Sequence, residues 1–436
     1  MRRRTVGCLF AILVVTASIP SNTFAADWPQ WLGPRRDSIW REDGMIQRIP
    51  EGGLDVKWRV PVGWGYAGPA VSNGRVYLMD YIHKSGTVTN SSGSRDRLDG
   101  VERILCLDAA SGAVHWKHEY QRTYNISYPK GPRCTPTVAD GKVYALGAEG
   151  DLHCLNAQSG MVVWKKDFVS EYKAKTPQWG FTNHPLVDDR WVYCVVGGTG
   201  SVVVAFDKDT GEEAWRALSA SEPGYCPPTM IEHGGDKQLI IWHKESINSL
   251  NPGTGEVRWS SDLAPRFGLA TAAPRLVGDH LFASGAGVSA LLDASTGNIV
   301  WTGSPTTSVA CTMSTPIIDD GVIYGNDGSG TVIAAKVEDG GRLWEMAKPI
   351  AARPQRSGTV FLVKNGDRYF LFNDSGDLIL ATLSKAGYTE LGRFRVLDAT
   401  NHTGSREVLW SHPAFAERSL FARNDKELVC VSLAAK

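Results

Sequence analysis

The sequence predicts an all-β fold: an eight-bladed β-propeller of four-stranded antiparallel blades, with the last blade closed by a strand from the N-terminal side of the chain. Three observations predict it. Tryptophan recurs at near-constant spacing, at Trp116, Trp164, Trp215, Trp259, Trp301 and Trp344, separated by 48, 51, 44, 42 and 43 residues. Each has a Gly four residues earlier, Gly112, Gly160, Gly211, Gly255, Gly297 and Gly340. Before each lie short alternating strands and Gly/Asp-rich turns without helical periodicity, the pattern of a blade.

Residues 1–25 read as a secretory signal peptide. Met1-Arg2-Arg3-Arg4 is a basic start, the stretch from Val6 to Val15 is apolar, and Thr23-Phe24-Ala25 is a small-residue cleavage site. The apolar run is too short for the ~20 residues of a membrane-spanning helix. The expectation is an exported protein, periplasmic or extracellular, without a transmembrane segment in the mature chain. Residues 26–53 form an N-terminal leader and residues 54–436 the propeller.

Seven of the eight units open at a proline: Pro69, Pro136, Pro185, Pro228, Pro274, Pro316 and Pro413. Proline is tolerated at the first residue of a strand, where its missing N–H is not needed. Turn pairs follow, such as Asn73-Gly74, Asp140-Gly141 and Asp320-Gly321, which suit tight hairpins. The second strand is aromatic or β-branched, as in Val76-Tyr77-Leu78. A D/N-x-x-S/T-G turn then leads into a fourth strand that carries the tryptophan. The seventh and eighth units diverge from this pattern. The eighth stops at its third strand, Leu428-Val429-Cys430-Val431, and the missing Trp strand is Leu54 to Val60, with Trp58. Closure of this kind removes the free edges of the ring. From Leu54 to Leu433 there are 380 residues, or 47.5 per blade. Seven blades is the alternative if the seventh or eighth unit is misread.

Composition narrows the function. Lys+Arg and Asp+Glu are both 46, so no net field draws the chain to nucleic acid. Apolar residues make up 42%, enough for a large core. The seven cysteines after the signal peptide are Cys106, Cys134, Cys154, Cys194, Cys226, Cys311 and Cys430. The odd number leaves at least one thiol unpaired. Cys106, Cys154 and Cys430 share one third-strand position, read as buried free thiols. Cys134 and Cys226 lie two residues before a blade proline, where a bridge would have to cross the intervening blade. No zinc or attached-haem spacing is present.

The repeats LDAASGAVHW, LNAQSGMVVW, FDKDTGEEAW, LNPGTGEVRW and LDASTGNIVW resemble the pyrroloquinoline-quinone (PQQ) repeat, the tryptophan-docked blade of quinoprotein alcohol dehydrogenases. The opening Asp27-Trp28-Pro29-Gln30-Trp31-Leu32-Gly33-Pro34 is similar to the leader of exported PQQ-like repeat proteins. The resemblance covers nearly all of the chain after residue 25. It implies PQQ and calcium in the enzymatic members, and a non-enzymatic scaffold role in outer-membrane protein assembly in BamB-like propellers. Other relatives sense or bind ligands. The enzymes characteristically carry two adjacent cysteines over the quinone, and this chain has no Cys-Cys pair. The first expectation is therefore a non-enzymatic binding or assembly scaffold with no assigned cofactor, metal or catalytic residue. The alternatives are a PQQ- and calcium-dependent oxidoreductase with an atypical site, and a carbohydrate-binding or sensory propeller.

Trp58, Trp116, Trp164, Trp215, Trp259, Trp301 and Trp344 are expected to dock blades together, as buried aromatics do. The turns Asn326-Asp327-Gly328-Ser329-Gly330 and Asn373-Asp374-Ser375-Gly376-Asp377 resemble partial calcium loops, yet Asn, Asp and Gly are ordinary turn residues. The long connections before blades 2, 3, 7 and 8 are richer. They carry Tyr124, Tyr128 and Arg133; Trp179, Phe181 and His184; Arg353 and Arg356; and His402, Trp410 and His412. All lead into innermost strands and so share one face. Arg133, Trp179, Asn183, His184, Tyr225, Arg353, Arg356 and His412 are the channel-mouth candidates for a protein or small-molecule ligand, since Arg and aromatics anchor recognition surfaces. A monomer is expected. The Ser/Gly/Thr-rich stretch from Ser85 to Gly100 is expected to be a mobile loop.

Overall fold

A computed structural model describes residues 26–435. Eight four-stranded antiparallel sheets surround a central axis, with one further two-stranded hairpin, Asn401–Thr403 and Arg406–Val408. Within each blade the strands run A to D from the axis outward. In blade 2 these are Thr137–Ala139, Lys142–Leu146, Asp151–Asn156 and Val162–Asp167. Blade 8 takes its outer strand from the other end of the chain: Val56–Pro61 pairs antiparallel with Glu427–Ser432, with Trp58 opposite Cys430. The signal-peptide segment lies outside the described residues.

One row of side chains repeats across the blades. Thr137, Tyr144, Cys154 and Trp164 lie opposite one another in blade 2, and Leu186, Tyr193, Ala205 and Trp215 in blade 3. The register shifts beside each tryptophan, a β-bulge that adds twist and re-aims the large side chain. Each docking tryptophan then donates its Nε1–H to a turn carbonyl of the next blade: Trp116 to Ala157, Trp164 to Lys208, Trp215 to Pro252, all at 3.0–3.1 Å. Trp58, Trp259, Trp301 and Trp344 do the same to Ala109, Ala294, Val337 and Ser384. The recurrent glycine is the other half of the joint. At Gly160 φ is +73° and a Cβ would stand 2.6 Å from the Trp116 ring, so only glycine admits the neighbouring indole.

The seventh blade departs from the row. Val363, Phe370 and Leu380 keep it, but Gly392 stands where the tryptophan should be. The space is filled from the leader: a Cβ on Gly392 would stand 2.8 Å from that of Ile49. The leader thus supplies, from distant sequence, the apolar wedge that this blade lacks. It packs into one cluster with blades 7, 8 and 1 through Trp28, Trp40, Met45 and Ile46.

Blade 1 is the longest, with strands Arg75–Ser85, Asp96–Asp108 and Val114–Ile126. The loop expected from Ser85 to Gly100 is thereby shortened to residues 86–95. Residues 96–100 are strand, and between them and Ser85 the Asp96 carboxylate accepts from the backbone N–H groups of Thr89 and Asn90. Serine and glycine content misled because a buried carboxylate pins the turn. Helix is confined to Phe168–Tyr172 and one 3₁₀ turn among the described residues.

Candidate functional site at the loop-bearing mouth

The axis has two unlike ends. The leader enters at the end that carries the turns between strands A and B. Trp28 exchanges both backbone hydrogen bonds with Val71 of blade 1, and Pro29 accepts from Val138 of blade 2. Arg36 reaches the Pro185 and Pro228 carbonyls of blades 3 and 4, while its own carbonyl accepts from Arg275 of blade 5. Ser38 and Trp40 bond to Lys364 of blade 7, and Ile46 to Leu433 beside blade 8. Burial without a carboxylate partner lowers the Arg36 guanidinium to about 9.

Trp31 is the centre of this plug. Its ring stacks on His184 at 4.5 Å, meets His412 edge-on at 5.7 Å, and packs with Ala273. These residues belong to blades 3, 8 and 5, and each immediately precedes its blade proline. At this level neighbouring blades also touch one another: the Thr135 N–H donates to His184 Nδ1 at 2.9 Å, the Ala273 N–H to Thr315 Oγ1 at 3.1 Å, and His412 lies 3.9 Å from the Phe361 ring. A cavity beside Trp28, Ser38, Thr315 and His412 has a volume of about 10 Å³, room for one water. His184 and His412 therefore line the sealed part of the channel rather than its mouth. Burial holds His184 well below the usual imidazole range and lowers His412 to about 3.

The mouth begins two residues earlier in each connection. Residues three before the blade proline, or in the matching register of blade 7, form a ring: Tyr66, Arg133, Thr182, Tyr225, Thr271, Met313, Thr359 and Trp410. Three adjacent pairs meet. The Arg133 guanidinium lies 4.9 Å from the Tyr66 ring, Tyr66 lies 6.3 Å from Trp410, and Thr182 Oγ1 donates to the Tyr225 carbonyl at 3.1 Å. Blades 8, 1 and 2 thus present two aromatics and a cation, while blades 5 to 7 present two threonines and a methionine.

Long loops interlock above the aromatic half. Asn90 donates to Asn401 Oδ1 at 2.7 Å, Tyr128 Oη lies 3.2 Å from Thr403 Oγ1, and Arg95 donates to the Asn125 and Thr176 carbonyls. The hairpin that holds Asn401 is anchored by Arg406, which makes two hydrogen bonds to the buried Asp374 carboxylate. Asp374 and Asp327, in the two turns that resemble calcium loops, are both engaged within the chain, Asp327 by the Ser329 and Thr331 N–H groups.

The sequence candidates divide accordingly. Arg133 and Tyr225 are ring members. Trp179 packs on Tyr225 at 5.3 Å, and Asn183, one level down, donates to the Cys226 carbonyl at 2.9 Å. Arg353 and Arg356 are exposed on the connection into blade 7. Sequence reading missed Tyr66, whose place three residues before Pro69 was the available signal, and Asn90 and Asn401, which nothing local distinguishes.

The residues present do not fit a calcium–quinone pair. The ring holds no carboxylate, and hard cations need several oxygen ligands with carboxylate among them. The neighbouring acid, Asp425, is engaged by the Gly65 N–H at 3.3 Å and by Lys130 at 3.7 Å. Among the described residues no three His, Cys, Asp or Glu side chains converge as metal ligands. Cys134 and Cys226 are unpaired, as are all seven described cysteines. No helix among the described residues is long and apolar enough to cross a membrane.

Comparison with known proteins agrees with this architecture. Residues 99–345 and 243–435 match the family model described as outer membrane protein assembly factor BamB. No curated protein sequence matches. Among solved structures, BamB from Moraxella catarrhalis is similar at 15% identity over 87% of this chain and 97% of that one, with a TM-score of 0.56. The quinohemoprotein alcohol dehydrogenase from Comamonas testosteroni is similar at 13% identity over 94% and 81%, with a TM-score of 0.62. A europium-containing methanol dehydrogenase is similar at 14% identity over 93% and 89%, with a TM-score of 0.61. At such identities the structural likeness is one of fold. The family model covers more than half of the sequence in repeated register, and the chain belongs to the BamB-like family of PQQ-repeat propellers.

Proposed function

We propose that this propeller is a non-enzymatic scaffold, exported from the cell, which binds a ligand or partner at its loop-bearing mouth. The observation that carries the reading is the mouth ring: aromatic and cationic residues without a carboxylate, above an axis filled by Trp31. Aromatic and arginine anchors with a polar surround favour recognition. A calcium-dependent redox site needs in addition carboxylate ligands for its ion, and the ring offers none. The BamB family match supports a protein as the natural class of partner, and the basic start and apolar stretch of residues 1–25 support export.

The test is direct. The purified protein is titrated with PQQ and Ca²⁺, and dye reduction is followed with alcohol and sugar substrates. The expected result is no stoichiometric quinone binding and no turnover. Saturable binding with substrate-dependent reduction would establish the oxidoreductase and overturn the scaffold.

A further inference from the structure

The chain contains two Asn-Gly pairs, and both stand at the leader end of the axis, where strands A and B turn. They are held in opposite ways. Asn365 ends the inner strand of blade 7 and is 6% exposed. Its amide donates to the leader, to the Trp40 carbonyl at 2.9 Å and the Glu42 carbonyl at 2.8 Å. Asn73 and Gly74 form the exposed two-residue loop of blade 1. The Asn73 amide makes one hydrogen bond, to Ser72 Oγ at 3.1 Å, and the space over Gly74 is open.

Other blades show what this loop tolerates. φ is +51° at Asn73 and +72° at Gly74, and Asp140-Gly141 and Asp320-Gly321 repeat the pair at +48° and +72° and at +47° and +72°. Asn, Asp and Gly all enter a turn with two positive φ values. Aspartate therefore fits the fold at position 73, and what blade 1 adds is the leader. The Asp27 carboxylate accepts from the Asn73 N–H at 3.1 and 3.2 Å and from Ser72 Oγ at 2.8 Å. Beside it the backbones of Trp28 and Val71 are paired. The corner is already acidic: the Glu417 carboxyl feels Asp27, with Lys57 as the cation beside it. Arg75 is engaged by the Ala157 and Gln158 carbonyls of blade 2. A further carboxylate at position 73 repels that of Asp27.

We propose that Asn73 is a site of spontaneous deamidation, and that its product loosens the leader's first contact with blade 1. The Gly74 nitrogen attacks Asn73 Cγ, the Cγ–Nδ2 bond breaks, and ammonia leaves with the Gly74 amide proton. Solvent water then opens the cyclic imide at either carbonyl. The products are aspartate, or isoaspartate with the main chain routed through Cγ. One ammonia is lost and one water gained, with no oxidant or reductant. Glycine after asparagine favours the attack because no Cβ shields its nitrogen. At Asn365 the same chemistry waits on the opening of two buried hydrogen bonds.

The full chain after residue 25 is incubated in mildly alkaline ¹⁸O-water, folded and in urea, and mapped by peptide mass spectrometry. The expected result is conversion at Asn73 in the folded protein, about tenfold or more faster than at Asn365, and conversion of both in urea. No conversion at Asn73 in the folded protein, or equal rates at the two sites, would overturn the site. Asn73→Gly keeps the turn, carries no amide and does not convert. The consequence is read by hydrogen exchange at the Trp28 and Val71 amides of Asn73→Asp, which carries the aspartate product from synthesis. Exchange is expected to be about fivefold faster than in the parent or in Asn73→Gly, the size of one like-charge contact in water, and the difference shrinks at high salt. Unchanged exchange in Asn73→Asp would sink the link to the leader. The same exchange measured on the converted parent protein does not depend on a variant folding.

Discussion

The two ends of the central axis are built from the same repeat yet finished in opposite ways. At one end the leader is drawn in until Trp31 touches blades 3, 5 and 8 and Arg36 bonds to blades 3 and 4. At the other, interlocked loops leave a partly buried ring with unpaired polar atoms beside it. At the level of Trp31 neighbouring blades touch one another, and the leader's indole joins blades 3, 5 and 8. One end is closed by borrowed chain, and the other is left as a surface. Side chains that seal the axis are committed to stability, and on the reading proposed above those at the mouth are left for recognition.

Deleting residues 26–49 should break the comparison most severely. It removes Trp28, Trp31, Trp40, Met45, Ile46 and Ile49, all buried. At about 1.5–3 kcal/mol each, their burial is on the order of 10 kcal/mol, comparable to the whole stability of a domain. We expect no cooperative melt by calorimetry. A deletion variant that melts within a few degrees of the parent would show that the leader is ornament.

Trp31→Ala tests the plug at one position. Removing a large buried aromatic costs about 3–5 kcal/mol, read as a lower denaturation midpoint in urea. Next comes pH. His184 and His412 are both held below their ordinary value in the folded state, so the unfolded chain takes up protons first as pH falls below about 6.5. Their contribution is present above that pH and is lost toward acid, at up to about 1.4 kcal/mol per pH unit for each imidazole. Melting temperature measured from pH 7 to pH 5 should decline, and His412→Gln should flatten the decline. An unchanged slope would remove His412 from the sealed layer. The smallest effect belongs to the mouth: Met313→Ala, on the half-exposed ring, should change stability by no more than about 0.5–1 kcal/mol in the same urea assay.

Much of the ring was legible because the repeat states it directly. The Trp–Gly spacing encodes a joint in which Gly160 must lack a Cβ so that Trp116 can dock, and the incomplete eighth unit encodes closure by the strand of Trp58. The mouth was legible only in part. Arg133 and Tyr225 stood out as residue types in long connections, but His184 and His412, equally conspicuous, turned out to face the plug. The deciding fact is depth along the axis: His184 lies two residues beyond Thr182 in the same connection, and that step carries it below the ring.

By itself the sequence determined the all-β ring, its eight-fold repeat and its closure, because periodic strands and docking residues are local signals copied many times. Only the tertiary structure decided where the leader goes, that Ile49 fills the wedge missing at Gly392, and that Tyr66, Asn401 and Asn90 meet across more than 300 residues of chain. Contacts between singular segments have no repeat to announce them. They follow from the closing of the ring, which sets residues from its two ends side by side.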